Sequence, residues 1–171
     1  MNRIMKVAKV LQEGPTEPVS VADLRLYLQL EGTAYDAQLA HYITAARRMV
    51  EQQVNRSLVD SAVTAQLSVR SNNFSPLPYY PLDEITDIRW KRCPQRILPM
   101  QEGYDYVVDG DRIAFLRLGD WFLQYTTTGI NDPSLTEAVK VQAGFMYTFR
   151  DDATVGGWHP MAKAIIDGYG T

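Results

Sequence analysis

Apolar residues recur at helical spacing between Pro18 and Asn55, and this pattern is the clearest structural signal in the chain. It predicts a short helix, a stop at Gly32 and a long amphipathic helix. Ser20 is placed to cap the short helix and Thr33 to cap the long one. The long helix needs a partner surface, because an isolated helix of this length is marginal in water. Its apolar stripe consists of Leu39, Ile43, Ala46, Val50 and Val54, with Tyr42 and Met49 along one edge.

Alternation of apolar and polar residues replaces the helical period after residue 57. A period of two over 63–70 and 121–127 predicts strands, and residues 85–90 are interpreted as a further strand. Asp109-Gly110, between two β-prone runs, predicts a tight hairpin turn. We therefore expect an antiparallel sheet of about four to six strands over 57–128.

A third helix is predicted over 135–150, where Ser134 and Glu137 form a capping box. The β-prone region separates this helix from the long helix, so we expect the two helices to close on each other. The fold class is then α+β: an N-terminal helical hairpin and a C-terminal helix packed together, with an inserted antiparallel β unit. The predicted segments are an N-terminal arm (1–17), the helical pair (18–56), the β unit (57–130), the C-terminal helix (131–155) and a C-terminal tail (156–171).

Composition narrows the class of protein without identifying it. Of 171 residues, 46% are hydrophobic and 22% are charged, as in ordinary globular proteins. The net charge of −3 argues against a general nucleic-acid binder, because such proteins are usually basic. The sequence has no run of about 18 apolar residues, so we expect no membrane span. Its single cysteine, Cys93, excludes an internal disulfide and fits a reducing cytoplasm.

Candidate catalytic residues are few, and none forms a convincing active site. The two histidines, His41 and His159, lack the spacing of metal ligands. Asp105, Asp109 and Asp111 surround the predicted hairpin turn, and turn chemistry explains Asp109 by itself. These aspartates leave open a metal-dependent hydrolase, which would require a bound divalent ion. We expect no cofactor.

A basic patch around Trp90 is the other candidate site; it contains Arg89, Lys91, Arg92 and Arg96. Aromatic and basic side chains together hold nucleic acid in many proteins, so a small nucleic-acid-binding module is the alternative function. The pattern is more typical of a solvated loop tip, or of a patch that pairs with a neighbour's carboxylates. A DNA-reading helix-turn-helix over 20–55 is disfavoured, because Asp36 would bring a negative charge toward phosphate.

Several stretches of this sequence carry a family resemblance. They are Pro18-Val-Ser, the short helix over 24–30, Asp36, Ala45-Ala46-Arg47, Val50-Glu51 and the helix end at 55–58. Together they resemble the phage head–tail connector proteins, which are head-completion or adaptor proteins. PLDEITDIRW (81–90) is similar to that family's proline-led strand, and LTEAVKVQAGFMYTFRDD (135–152) is similar to its C-terminal helix.

The resemblance implies a structural, non-enzymatic adaptor in the virion, at the head–tail interface, made in the host cytoplasm. It implies a homo-oligomeric ring of about 12 copies under the portal protein. This ring would bind a tail completion (stopper) or tail terminator protein and would prolong the DNA channel. DNA would pass without specific binding, since about −36 charges over the ring would repel it.

These implications lead to specific expectations for residues. We expect a subunit interface on the long helix, at Tyr42, Arg47, Met49 and Glu51. We expect the C-terminal tail to dock on the portal through Trp158, His159 and Tyr169. Deletion of 156–171 should then abolish portal binding and leave the fold intact.

Overall fold

The computed structural model describes residues 5–93, 96–152 and 156–169. The helices in this part of the chain are α1 (Val21–Tyr27), α2 (Asp36–Val54), α3 (Pro133–Thr148) and α4 (Pro160–Tyr169). The strands are β1 (Met5–Glu13), β2 (Ser61–Val69), β3 (Ser75–Pro76), β4 (Leu82–Cys93), β5 (Arg96–Pro99), β6 (Tyr106–Asp109), β7 (Arg112–Phe115) and β8 (Gly119–Thr127).

The chain divides into two compact units, and each unit is built from two separate stretches of sequence. The β unit comprises Met1–Gly14 and Val59–Ile130, and the helical unit comprises Pro15–Leu58 and Asn131–Thr171. The predicted α+β fold class is confirmed, and α2 does pack against α3.

The β unit contains two antiparallel sheets where the sequence predicted one. The larger sheet has the strand order β1-β2-β8-β4-β5, and the smaller has the order β3-β7-β6. Between the two sheets, Phe115 packs on Trp121 with ring centroids 4.4 Å apart. The core of the β unit follows from the alternation of apolar and polar residues along β2 and β8. The register of these two strands places their buried residues opposite one another on the same face of the sheet. The pairs are Val63 with Tyr125, Ala65 with Leu123, and Leu67 with Trp121.

The predicted hairpin between β6 and β7 is confirmed, but its two turn residues are Gly110 and Asp111, because Asp109 pairs with Arg112 at the strand ends. Gly110 has a φ of +55°, a conformation that glycine adopts at little cost. These two strands pair with each other, and β7 also pairs with β3, so the hairpin belongs to the smaller sheet. The second sheet is therefore built around a local hairpin. The alternating pattern in the sequence predicted strands here but did not specify which other strands they would pair with.

Residues 5–13, which we expected to form part of an N-terminal arm, form the edge strand β1. This strand pairs with β2 in antiparallel register from Met5 opposite Ser68 to Glu13 opposite Ser61. Ala8 and Val10 pack on the core of the β unit. The backbone pairing with β2 and these two apolar side chains join β1 to the edge of the larger sheet.

In the helical unit, four of the five residues in the predicted stripe of α2 are buried, since Leu39, Ile43, Ala46 and Val50 are all at most 1% exposed, and Val54 is half-buried. The Ser20 hydroxyl caps α1 by accepting from the backbone N–H of Asp23 at 3.0 Å, as predicted. Two other predicted caps are wrong. Tyr35, not Thr33, precedes α2, and it makes no side-chain capping bond. Asp132 rather than Ser134 caps α3, because Pro133 suits the first helical position.

Among the described residues, no helix combines the length and apolarity needed to cross a membrane.

Candidate assembly surfaces

A buried ion network ties the start of the helical unit to α2. Arg47 Nε lies 2.7 Å from Glu17 Oε2, and Arg47 Nη1 lies 2.7 Å from Glu51 Oε2. Glu51 Oε1 also accepts from the backbone N–H of Leu58 at 2.7 Å, which fixes the chain beyond α2. The side chains of Arg47 and Glu51 are 1% and 4% exposed. Both residues, expected at a subunit interface, therefore interact within their own subunit, where buried charges must be paired.

Tyr42 and Met49, the other two expected interface residues, line a groove between α2 and α3. The groove has a volume of about 280 Å³, and Gln142 also contributes to its lining. Phe145 and Phe149 stack with centroids 4.9 Å apart, and Phe149 is 41% exposed. We call this the α2–α3 groove; its principal side chains are Tyr42, Met49, Phe145, Met146, Phe149 and Arg150. Sequence reasoning placed the aromatic residues of α3 in the core and did not anticipate a groove.

The segment expected to be a docking tail is packed on α3. Ala162 and Ile166, on α4, are buried in the helical unit. The buried amide of Gln142 donates to Gly157 O at 3.0 Å and accepts from His159 N at 2.9 Å. These contacts explain why the chain turns back at 157–159 to start α4. Deletion of 156–171 would expose this core, so the deletion is not a neutral test of docking.

The three expected portal-docking residues lie at the two ends of α4. Trp158 and His159 are half-buried, and His159 Nδ1 accepts from the backbone N–H of Met161 at 3.1 Å. Tyr169 is half-buried beneath the Arg56 guanidinium, 5.5 Å from the ring centroid. Tyr169 also lines a shallow groove of about 540 Å³ between α4 and the start of α3. Their role in portal docking stays a prediction.

The basic patch lies at one end of the β unit. Arg89 Nε is 2.8 Å from Asp87, and Lys91 is half-buried on β4. Arg117 lies over the Trp90 ring at 5.3 Å and is paired with Asp105 Oδ1 at 2.7 Å. The side chains of Arg92, Cys93 and Arg96 lie outside the described part of the molecule. A base would have to displace Arg117 to stack on the face of Trp90 that Arg117 covers.

A loop beside this patch presents two exposed leucines that sequence reasoning missed. Leu116 is 43% exposed and Leu118 is 55% exposed. The loop is held from inside, because Trp121 Nε1 donates to Arg117 O at 3.0 Å and Trp90 Nε1 donates to Leu118 O at 3.2 Å. These two hydrogen bonds hold the loop in one conformation, which lowers the conformational entropy lost when a partner protein binds to it.

The three aspartates considered for metal binding have different structural roles. Asp105 pairs with Arg117, and its Oδ2 accepts from Gln101 N at 3.1 Å. Asp111 accepts from Leu82 N at 3.0 Å, and Asp109 ends β6 at the turn. Within the described ranges, no three His, Cys, Asp or Glu side chains cluster as metal ligands.

Comparison with known proteins identifies the class of this chain. Residues 17–134 match the family described as "Head completion protein". The chain therefore belongs to the head completion protein family, which confirms the resemblance drawn from the sequence. It is a structural virion protein of the head–tail interface of a phage-type particle.

Solved structures show the same fold. A chain from the neck of an empty gene transfer agent particle, computed with C6 symmetry, is 23% identical, with a TM-score of 0.73. The alignment covers 96% of this chain and 95% of that chain. A chain from the virion of the native particle has 23% identity, the same coverages and a TM-score of 0.70. A chain from the native neck, computed with C12 symmetry, has 22% identity, the same coverages and a TM-score of 0.68. The search of curated proteins found no match.

Proposed function

We propose that this protein is a non-enzymatic connector that assembles into a ring of about 12 copies beneath the portal. The ring prolongs the DNA channel and provides the surface to which a tail completion or tail terminator protein attaches. The observation that carries the proposal is the head completion family match over residues 17–134. The shared fold with neck chains from maps computed with C6 and C12 symmetry supports it.

The surfaces of the helical unit fit an assembly function. The α2–α3 groove is apolar, partly exposed and lined by aromatic residues, which are enriched at protein interfaces. Trp158, His159 and Tyr169 are the residues we assign to portal docking. The affinity of each single subunit for the portal can be low, because a ring binds its partner through many copies at once.

The decisive experiment measures the mass of the purified protein alone and after mixing with the portal. We expect a portal-bound ring of about 12 copies, whatever the state of the free protein. Trp158→Ala and Tyr169→Ala should weaken portal binding, whereas His41→Ala, on the exposed face of α2, should not. A protein that binds no portal, or binds as a single copy, overturns the proposal.

The nucleic-acid-binding alternative makes a different prediction for the same protein. Binding through Arg89, Lys91, Arg92 and Arg96 would give a DNA gel shift that weakens steeply with salt. We expect no such shift, because Arg89 is already paired with Asp87 and the β unit carries ten basic and ten acidic side chains.

A further inference from the structure

Two adjacent apolar side chains on α1 are exposed to solvent. Leu26 is 79% exposed and Tyr27 is 47% exposed. We call this pair the α1 surface. Single exposed leucines are common, but two large neighbouring apolar side chains on one short helix form a contact surface.

The α1 surface adjoins one side of α3. A Cβ atom built on Gly144 would lie 2.8 Å from the Tyr27 ring, and Lys140 Nζ lies 5.8 Å from the centroid of that ring. Gly144 and Lys140 therefore mark the side of α3 that faces α1.

The α2–α3 groove lies on the other side of α3. Gln142, Met146 and Phe149 line it. At 3.6 residues per turn, these three positions are rotated by roughly 140–160° from Gly144 around the helix. Leu26 therefore cannot reach the groove of its own subunit.

We propose that the α1 surface of one copy inserts into the α2–α3 groove of the next copy. A projection and a groove on opposite sides of the same unit make a heterologous contact, which repeats from copy to copy and forms a ring when the rotation between neighbours closes. The groove volume of about 280 Å³ exceeds that of a leucine side chain. This inference rests on the proposed ring and names the contact that builds it.

The charges beside the two surfaces favour a second copy as the occupant. Asp23 is exposed on α1, three residues before Leu26. Arg150 lies at the groove, where its Nη1 donates to Tyr147 O at 2.8 Å and its Nε is 3.7 Å from Asp151. The approach of α1 to the groove of a neighbour therefore brings a carboxylate toward a guanidinium, which favours this register.

Cysteine cross-linking tests the contact directly. Leu26→Cys, Met49→Cys and the double variant are made in a Cys93→Ala background and introduced into particles, which are then oxidised. Only a heterologous contact lets the double variant form a ladder of linked multimers while each single variant stays unlinked. Dimers from Leu26→Cys alone, or an unlinked double variant in assembled particles, overturn the inference.

A second variant pair separates contact from folding. Leu26→Glu should lower the yield of tailed particles at least ten-fold, and Leu26→Met, which stays apolar, should retain it. The purified Leu26→Glu protein should unfold at the wild-type temperature, because the side chain is exposed. If Leu26→Glu gives a normal yield of tailed particles and electron microscopy shows a ring in the neck, the proposed contact is wrong and the connector function is unaffected. Single copies in the neck would overturn both.

Discussion

At the scale of single residues, Arg47 illustrates how a buried charge is stabilised. Its guanidinium lies between Glu17, 30 positions earlier, and Glu51, one helical turn later. Thr44 Oγ1 also donates to Glu17 Oε1 at 2.7 Å. The network joins the segment before α1 to the middle of α2, so its loss affects the whole helical unit.

We expect Arg47→Met to lower the free energy of unfolding by about 3–5 kcal/mol, because it leaves the buried carboxylate of Glu51 and the partly exposed carboxylate of Glu17 without their counter-charge. Arg48→Met, at the neighbouring exposed position, should change it by less than about 0.5 kcal/mol. Urea unfolding followed by circular dichroism measures both. Equal effects of the two variants would show that the network contributes little.

The phenol of Tyr125 makes stability depend on alkaline pH. Burial raises the pKa of Tyr125 above its ordinary value, and the nearby Tyr79 raises it further. The phenol donates to Pro78 O at 2.5 Å. Because the folded state holds this proton more tightly, its contribution is complete below about pH 10 and is lost as pH rises above that.

We therefore expect the free energy of unfolding to fall above about pH 10, with Tyr125 contributing up to about 1.4 kcal/mol per pH unit. Tyr125→Phe should reduce this slope. It should not abolish it, since burial and Glu102 also raise the pKa of Tyr106. Tyr104→Phe, at a 76% exposed phenol, is the matched control. An unchanged slope in Tyr125→Phe would contradict the assignment.

At the scale of elements, the close approach of α1 to α3 depends on Gly144. Alanine at this position would gain helix propensity of about 1 kcal/mol, but its Cβ would meet the Tyr27 ring at 2.8 Å. We expect Gly144→Ala to stabilise a Tyr27→Ala protein more than the wild type, by at least about 0.5 kcal/mol. A double-mutant cycle in urea measures this coupling, and strictly additive effects would mean that the helices separate easily.

The elements that the sequence predicted well are those specified by local patterns. The stripe from Leu39 to Val50 and the hairpin between β6 and β7 needed no distant partner, and both are confirmed, although the turn residues are Gly110 and Asp111. β1 was missed because its partner lies far along the chain, with Met5 opposite Ser68. The α3 cap was misplaced because Asp132 and Ser134 both fit the capping rule, and only Pro133 decides between them.

The candidate surfaces were harder to predict than the elements. Tyr42 and Met49 were singled out because they lie at the edge of a local stripe; they line the α2–α3 groove, and their role in a subunit interface stays a prediction. Arg47 and Glu51 share the same helix, but Glu17 draws the guanidinium inward, and no pattern in the sequence links residues 30 positions apart. Leu26 is exposed because α1 packs through Leu24, which is fully buried, and the apolar spacing of α1 does not say what covers its other face.

At the scale of the whole molecule, the formal charge is unevenly distributed. The helical unit carries seven basic and ten acidic side chains, whereas the β unit is balanced. The net charge of −3 therefore belongs to the helical unit. In a ring of about 12 copies, the repulsion of DNA expected from about −36 charges would come from the helical units alone.

The division into two interleaved units also has a consequence during translation. The β unit requires residues 59–130 to join the first strand, and the helical unit requires 131–169 to cover α1 and α2. On the ribosome, α1 and α2 therefore emerge long before α3 and α4 exist to bury their apolar side chains. The β unit is therefore completed first, and the α2–α3 groove is finished only after α3 has been synthesised.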